Sequence, residues 1–310
     1  MTLERTVKKY RELFKSKPAV TTAHTDKGHF YVSPTTKESY HSVTYFTSFI
    51  KDPSIGNWRK NRALEQISVV WKPNQHYSQE VINKLIEQAA VAPEGDFQLA
   101  GDIGSQTHAW REQFFKAWIE MEAYQIPDAE IDAWPLPKDT APEVISGCRA
   151  IKKFLKETGY IPVACEVPMV DDELKVGGMC DDVGVFPNPE KVAIHAEYNK
   201  TVENPDWMLG GYKIKYHPYL GFVDLKTSNQ GKKPAYAYQV RGFYQRMLWK
   251  TFRVKPKKTY ILHTSKENGT YQIIDVTSMK FLEKDCADLV RLSRSWDKVV
   301  DTFKPKVITI

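Results

Sequence analysis

The chain has 310 residues, 42% of them hydrophobic and 26% charged, a globular composition with enough length for a substantial core. Mean hydropathy is −0.49, and no uncharged apolar run approaches the ~18 residues that a bilayer demands, so no membrane-spanning helix is predicted. A formal charge of +6 and a pI of about 8.9 admit nucleic acid as a partner without identifying it.

Residues 1–100 read as a mostly helical region with one early hairpin. Met1–Tyr10 is charged and lacks an apolar core of signal-peptide length, so no targeting segment is expected. The alternating runs Gly28–Ser33 and Ser39–Thr44, joined by Pro34-Thr35-Thr36-Lys37, predict the hairpin. Ser78 caps a helix with apolar residues at 81, 82, 85, 86, 89 and 90. Residues 101–310 read as the main α/β unit. Gly101–His108 reads as a glycine-rich loop opening a helix with apolar residues at 110, 114, 115 and 118, which puts His108 on its first turn. A proline- and acid-rich loop around 127–142 precedes a helix at 143–158. Strands follow at 161–170, 176–186 and 220–227, the first two joined by the polar turn Asp171–Lys175. A helix at about 234–252 leads to strands at 259–264 and 271–276, with Asn268-Gly269 as their turn. An amphipathic helix at 279–300 closes the chain. This order predicts an α/β fold, a mixed central β-sheet flanked by helices.

Three of these strands carry acids among apolar residues. Asp224 and Lys226 are two apart in Gly221–Ser228, so strand alternation puts them on one face, with the Leu225 carbonyl between them. Asp181 and Asp182 interrupt Val176–Phe186 and are expected on opposite faces; Glu166 is the one charge in Ile161–Val170. A buried, unpaired carboxylate costs several kcal/mol, and a shared divalent cation is a common compensation. Asp181, Asp224 and Glu166 would offer three hard oxygen donors, which suits Mg²⁺ or Mn²⁺. His108 would add a nitrogen ligand or contact a phosphate. Lys226 would orient an attacking water, or deprotonate it if its pKa were lowered. Gln239 could reach this centre from the following helix. Basic residues gather around the Asp224 strand, and Gln239, Arg246, Lys250 and Arg253 are spaced to share a helix face. With Arg241 they form the expected DNA-binding side. Cys148, Cys165, Cys180 and Cys286 form no Cys-x-x-Cys pair, which fits a reducing cytoplasm.

Gly104–His108, Glu166, Gly178-Met179-Cys180-Asp181, Val223–Ser228 and Gln239–Phe243 occur in one order. That order resembles the PD-(D/E)XK nuclease superfamily, and within it the RecB-nuclease-like branch of mitochondrial genome maintenance and phage exonucleases. Tyr40–Thr44, followed by a helix containing Trp58, resembles the N-terminal segment of these nucleases, so the likeness spans roughly 40–300. The resemblance implies a restriction-endonuclease-like core and a Mg²⁺- or Mn²⁺-dependent DNA exonuclease acting at single-stranded or duplex ends. It implies His108, Asp181, Asp224 and the Leu225 carbonyl as metal ligands, with Glu166, Lys226 and Gln239 completing the site. It places the activity in replication, recombination or repair, alongside a partner from those processes, in a bacterial or phage-infected cell. Some superfamily members carry an iron–sulfur cluster on one early and three late cysteines. Only Cys286 is late here, so no cluster is expected. Three features depart from the pattern: the additional acid Asp182, Phe243 where the family has tyrosine, and 187–217, which reads as an insertion. That insertion mixes Trp207, Tyr212 and Tyr216 with Lys213 and Lys215. An endonuclease with the same chemistry, and a catalytically inactive nucleic-acid-binding module, are the alternatives. The presence of every acid and the lysine favours an enzyme.

Overall fold

Why the acids meet is a matter of strand order. The computed structural model describes residues 2–16, 20–25, 28–50, 53–72, 75–187, 218–227 and 233–303. The first helix, α1 (Leu3–Lys15), starts at Thr2, whose hydroxyl accepts from the Arg5 amide. Strands β1 (Thr21–Thr25), β2 (Gly28–Val32) and β3 (Ser39–Ser42) then form an antiparallel meander. The β2–β3 hairpin is the one predicted, its turn held by Ser33 Oγ accepting from the Thr35 and Thr36 amides. β1 was not predicted; its Thr-Thr-Ala-His-Thr sequence has no apolar alternation, and pairing with β2 forms it.

β4 (Ile161–Asp171) and β5 (Val176–Phe186) make a long hairpin, and Asp171 Oδ1 accepts from the Glu173 and Leu174 amides at its turn. β4 runs along one edge of β5. The other edge is shared: β3 pairs in parallel at Val176–Gly177, and β6 (Tyr219–Lys226) pairs antiparallel from Asp182 to Phe186. Between them the edge of β5 forks around residues 178–181. β6 continues in parallel to β7 (Lys258–Thr264), which pairs antiparallel with β8 (Tyr271–Asp275). The result is an open, mixed eight-stranded sheet flanked by helices, the α/β class read from the sequence.

The helices bury a core on each face of this sheet. On one lie α1, α2 (Val43–Thr47), α8 (Gln245–Phe252) and α9 (Leu282–Phe303), around Val7, Phe46, Phe222, Phe243, Leu248 and Val290. On the other, α4 (Gln79–Glu120) and α6 (Pro142–Thr158) pack Trp110, Phe114, Trp118 and Phe154 against Phe186 and Leu225. The remaining helices are α3 (Pro53–Val70), which contains Trp58, α5 (Asp128–Ala133) and the short α7 (Pro234–Ala237). No helix among the described residues is long and apolar enough to cross a membrane.

Two expectations need correcting. Gly101–His108 is not a loop, because α4 runs unbroken from Gln79 to Glu120 through the expected boundary at 100/101. Its glycines and Pro93 disfavour helix, but Ile103, Thr107, Trp110, Phe114 and Trp118 are buried at helical spacing, and that burial prevails. Small side chains also serve the packing there. A Cβ at Gly104 would lie 3.0 Å from Thr227 Oγ1, and one at Gly147 of α6 would lie 2.9 Å from Thr107 Cγ2. The helix predicted over 234–252 is interrupted by a π-helical stretch, Tyr238–Tyr244, between α7 and α8. The expected insertion lies, beyond Pro187, outside the described residues, and Trp207, Tyr212, Lys213, Lys215 and Tyr216 with it.

Candidate active site

The fork in β5 assembles the acidic centre. Where β6 ends its pairing with β5, the Leu225 amide donates to Asp181 Oδ2 at 2.6 Å. That bond puts the Asp224-Leu225-Lys226 turn of strand beside Asp181. Lys226 Nζ lies 2.6 Å from Asp224 Oδ2, and 5.2 Å from the centre of the Tyr236 ring. The contact follows from alternation, since residues two apart on a strand share a face. A Cβ at Gly178 would come 2.7 Å from Tyr244 Cε1, so this glycine lets the π-helical stretch close over the fork.

α4 supplies the other half. His108 Nδ1 stands 3.5 Å from Asp181 Oδ1. One turn on, the fully buried Arg111 reaches three carboxylates at once. Its Nη1 is 3.1 Å from Asp181 Oδ2 and its Nε is 3.5 Å from Asp182 Oδ2, while Nη2 donates to Glu166 Oε1. Glu166 reaches it from a left-handed backbone conformation, φ 49°, in the strand that also carries a register shift between Pro162 and Ala164. Such irregularities re-aim side chains and recur at functional sites. Asp181 and Asp182 were expected on opposite faces; in the structure both carboxylates reach the one guanidinium.

Burial and charge pull these groups apart. Burial alone would raise Asp181, but Arg111, then His108 and Lys226, hold it well below the usual carboxylate range. Burial outweighs the Arg111 attraction at Asp182, pushed up to about 7, and at Glu166, pushed up to about 8. Asp224 rises to about 6, burial exceeding the pull of Lys226. Burial disfavours the Lys226 ammonium, yet Asp224 and Asp181 keep its pKa raised, so the metal-free chain holds it as a cation rather than a base.

The donor set fits a divalent cation. Ligand atoms of His108, Glu166 and Asp181 lie within 4.8 Å of one another. Asp182 Oδ1 is buried without a hydrogen-bond partner, and Asp224 Oδ2 meets Lys226 at short range but without hydrogen-bond alignment. Clustered carboxylates with one imidazole suit Mg²⁺ or Mn²⁺.

Other predicted residues fall elsewhere. Gln239, on the π-helical stretch, donates to the Tyr244 hydroxyl at 2.7 Å. Phe243 is core. Arg241 was expected at DNA, but it is buried, 2.5 Å from Glu283 Oε1 and donating to the Thr277 carbonyl. Arg246 pairs with Asp171 and Glu173, and Lys250 with Glu173, so the expected basic track is largely neutralised by the β4–β5 turn. Arg253 ends α8 at φ 59° rather than extending that face. Arg111 was the residue missed. Its signal was an arginine inside the apolar stripe of a helix, one turn after His108.

No family model matches this chain, and no curated protein matches it either.

Proposed function

We propose that the chain is a divalent-metal-dependent deoxyribonuclease that hydrolyses phosphodiester bonds at DNA ends. One observation carries the reading: the Leu225 amide bonded to Asp181 Oδ2, which brings Asp181, Asp224 and Lys226 into one buried cluster beside His108. Mg²⁺ or Mn²⁺ would be held by Asp181, Asp224, His108 and the Leu225 carbonyl. When bound it would supply Lewis-acid stabilisation of charge on the phosphate oxygens. Lys226 stays protonated beside Asp224, so its role is to orient the attacking water and oppose the developing negative charge. Glu166 is engaged by Arg111 and fixes that guanidinium. Gln239 holds Tyr244 over the fork and supports the site from behind. The exonuclease class and a setting in replication, recombination or repair rest on the resemblance of the five ordered motifs.

The test is incubation of the full chain with end-labelled single- and double-stranded linear DNA, with Mg²⁺, with Mn²⁺ and with chelator. Progressive shortening from an end that requires the metal is the expected result. Intact DNA in both metals would overturn the reading and leave a nucleic-acid-binding module.

A further inference from the structure

Resting on the nuclease reading, we propose that Arg111 is a built-in counter-ion that limits the acidic centre to a single divalent cation. Glu166, Asp181, Asp182 and Asp224 bring four carboxylates into one enclosed volume, the three aspartates all buried. Two fixed cations face them, the enclosed guanidinium of Arg111 and the ammonium of Lys226. Even with every carboxylate ionised the balance reaches only minus two, which one divalent ion neutralises. A second would leave an uncompensated positive charge in a largely dry site, where such charge is heavily penalised.

Position agrees with the charge count. The guanidinium contacts Glu166, Asp181 and Asp182 together, so it already supplies positive charge on that side of Asp181. Asp181 is divided between two sides. Its Oδ2 accepts from the Leu225 amide and faces Arg111, while Oδ1 faces His108, whose side chain is 30% exposed. The side toward His108 is therefore the one left for a metal, with Asp224 and Lys226 completing it. Arginine suits this place because its planar fork serves several carboxylates at once and it does not lose its proton.

The test counts ions instead of cleavage. Manganese titration of the full chain, followed by electron paramagnetic resonance and calorimetry, should give one bound Mn²⁺ per wild-type chain. Arg111→Gln should bind two, and Arg111→Lys, which keeps the charge, should bind one. Two ions of similar affinity on the wild-type chain, or a folded Arg111→Gln that still binds one, would overturn the proposal. If Arg111→Gln is unfolded in chelator, saturating Mn²⁺ should restore its cooperative melting transition, and failure to do so would count against the proposal equally. A wild-type chain that takes up no Mn²⁺ would remove the nuclease reading itself, whereas a wild-type count of two removes this inference alone.

Discussion

Asp181 is held ionised while Asp182, its neighbour, is pushed up to about 7, because their oxygens touch different groups. Asp181 accepts from the Leu225 amide and faces Arg111 and His108; Asp182 has Arg111 at 3.5 Å and one oxygen without a hydrogen-bond partner. Asp181→Asn should therefore lower cleavage by more than tenfold, and Asp182→Asn by only a few-fold, under saturating Mg²⁺ in a single-turnover assay. The reverse ranking would move the ligand set one residue along β5. Asp224 and Lys226 share one contact and one strand face. Asp224→Asn and Lys226→Met should each leave under about a tenth of the rate, since ~1.4 kcal/mol of lost transition-state stabilisation is already tenfold. Circular dichroism should meanwhile show an unchanged fold. Either variant retaining wild-type rate would place the chemistry elsewhere.

Among the elements, those with internal periodicity were legible and those made by packing were not. β4, β5 and β6 could be read as apolar runs broken by acids, and the Asn268-Gly269 turn between β7 and β8 as a hairpin signal. The acids, Lys226 and His108 could be named, whereas Arg111 showed only as an arginine in an apolar stripe, its three partners lying on strands 55 or more positions away. Local glycine content made 101–108 look like a loop, whereas the aromatic residues that follow hold it in α4. Close packing of α6 on that helix gives a direct test. Gly147→Val would push a methyl group into Thr107 and should destabilise the protein by about 1–3 kcal/mol, read as a lower melting temperature. An unchanged Tm would mean the two helices separate freely. The helix spacing that suggested a DNA track also missed Asp171 and Glu173, which meet it from the β4–β5 turn. Arg246→Ala leaves the buried Asp171 without its cation, and should cost about 2 kcal/mol of stability while changing DNA affinity less than threefold. A large affinity loss at constant Tm would restore the track.

At the scale of the whole molecule, the nuclease proposal requires a route by which a DNA strand reaches a centre this enclosed. Asp181, Asp182 and Asp224 are all buried and Tyr244 closes over the fork, while His108 and Glu166 are partly exposed. On the nuclease reading a strand would approach past His108 of α4, since on the Glu166 side the carboxylate is engaged by Arg111. A strand threading there would bring its phosphates to Asp224 and Lys226 singly, which would favour a free end over a continuous chain. The overall charge of +6 would assist attraction without supplying this selectivity. Linear single-stranded DNA should therefore be degraded in Mg²⁺, while a covalently closed single-stranded circle of the same sequence survives at least tenfold longer. The comparison isolates the end, since backbone, bases and salt are identical in both substrates. Equal loss of the circle would mean that the strand enters sideways. The chemistry at Asp224 and Lys226 would then stand, and the protein would be an endonuclease.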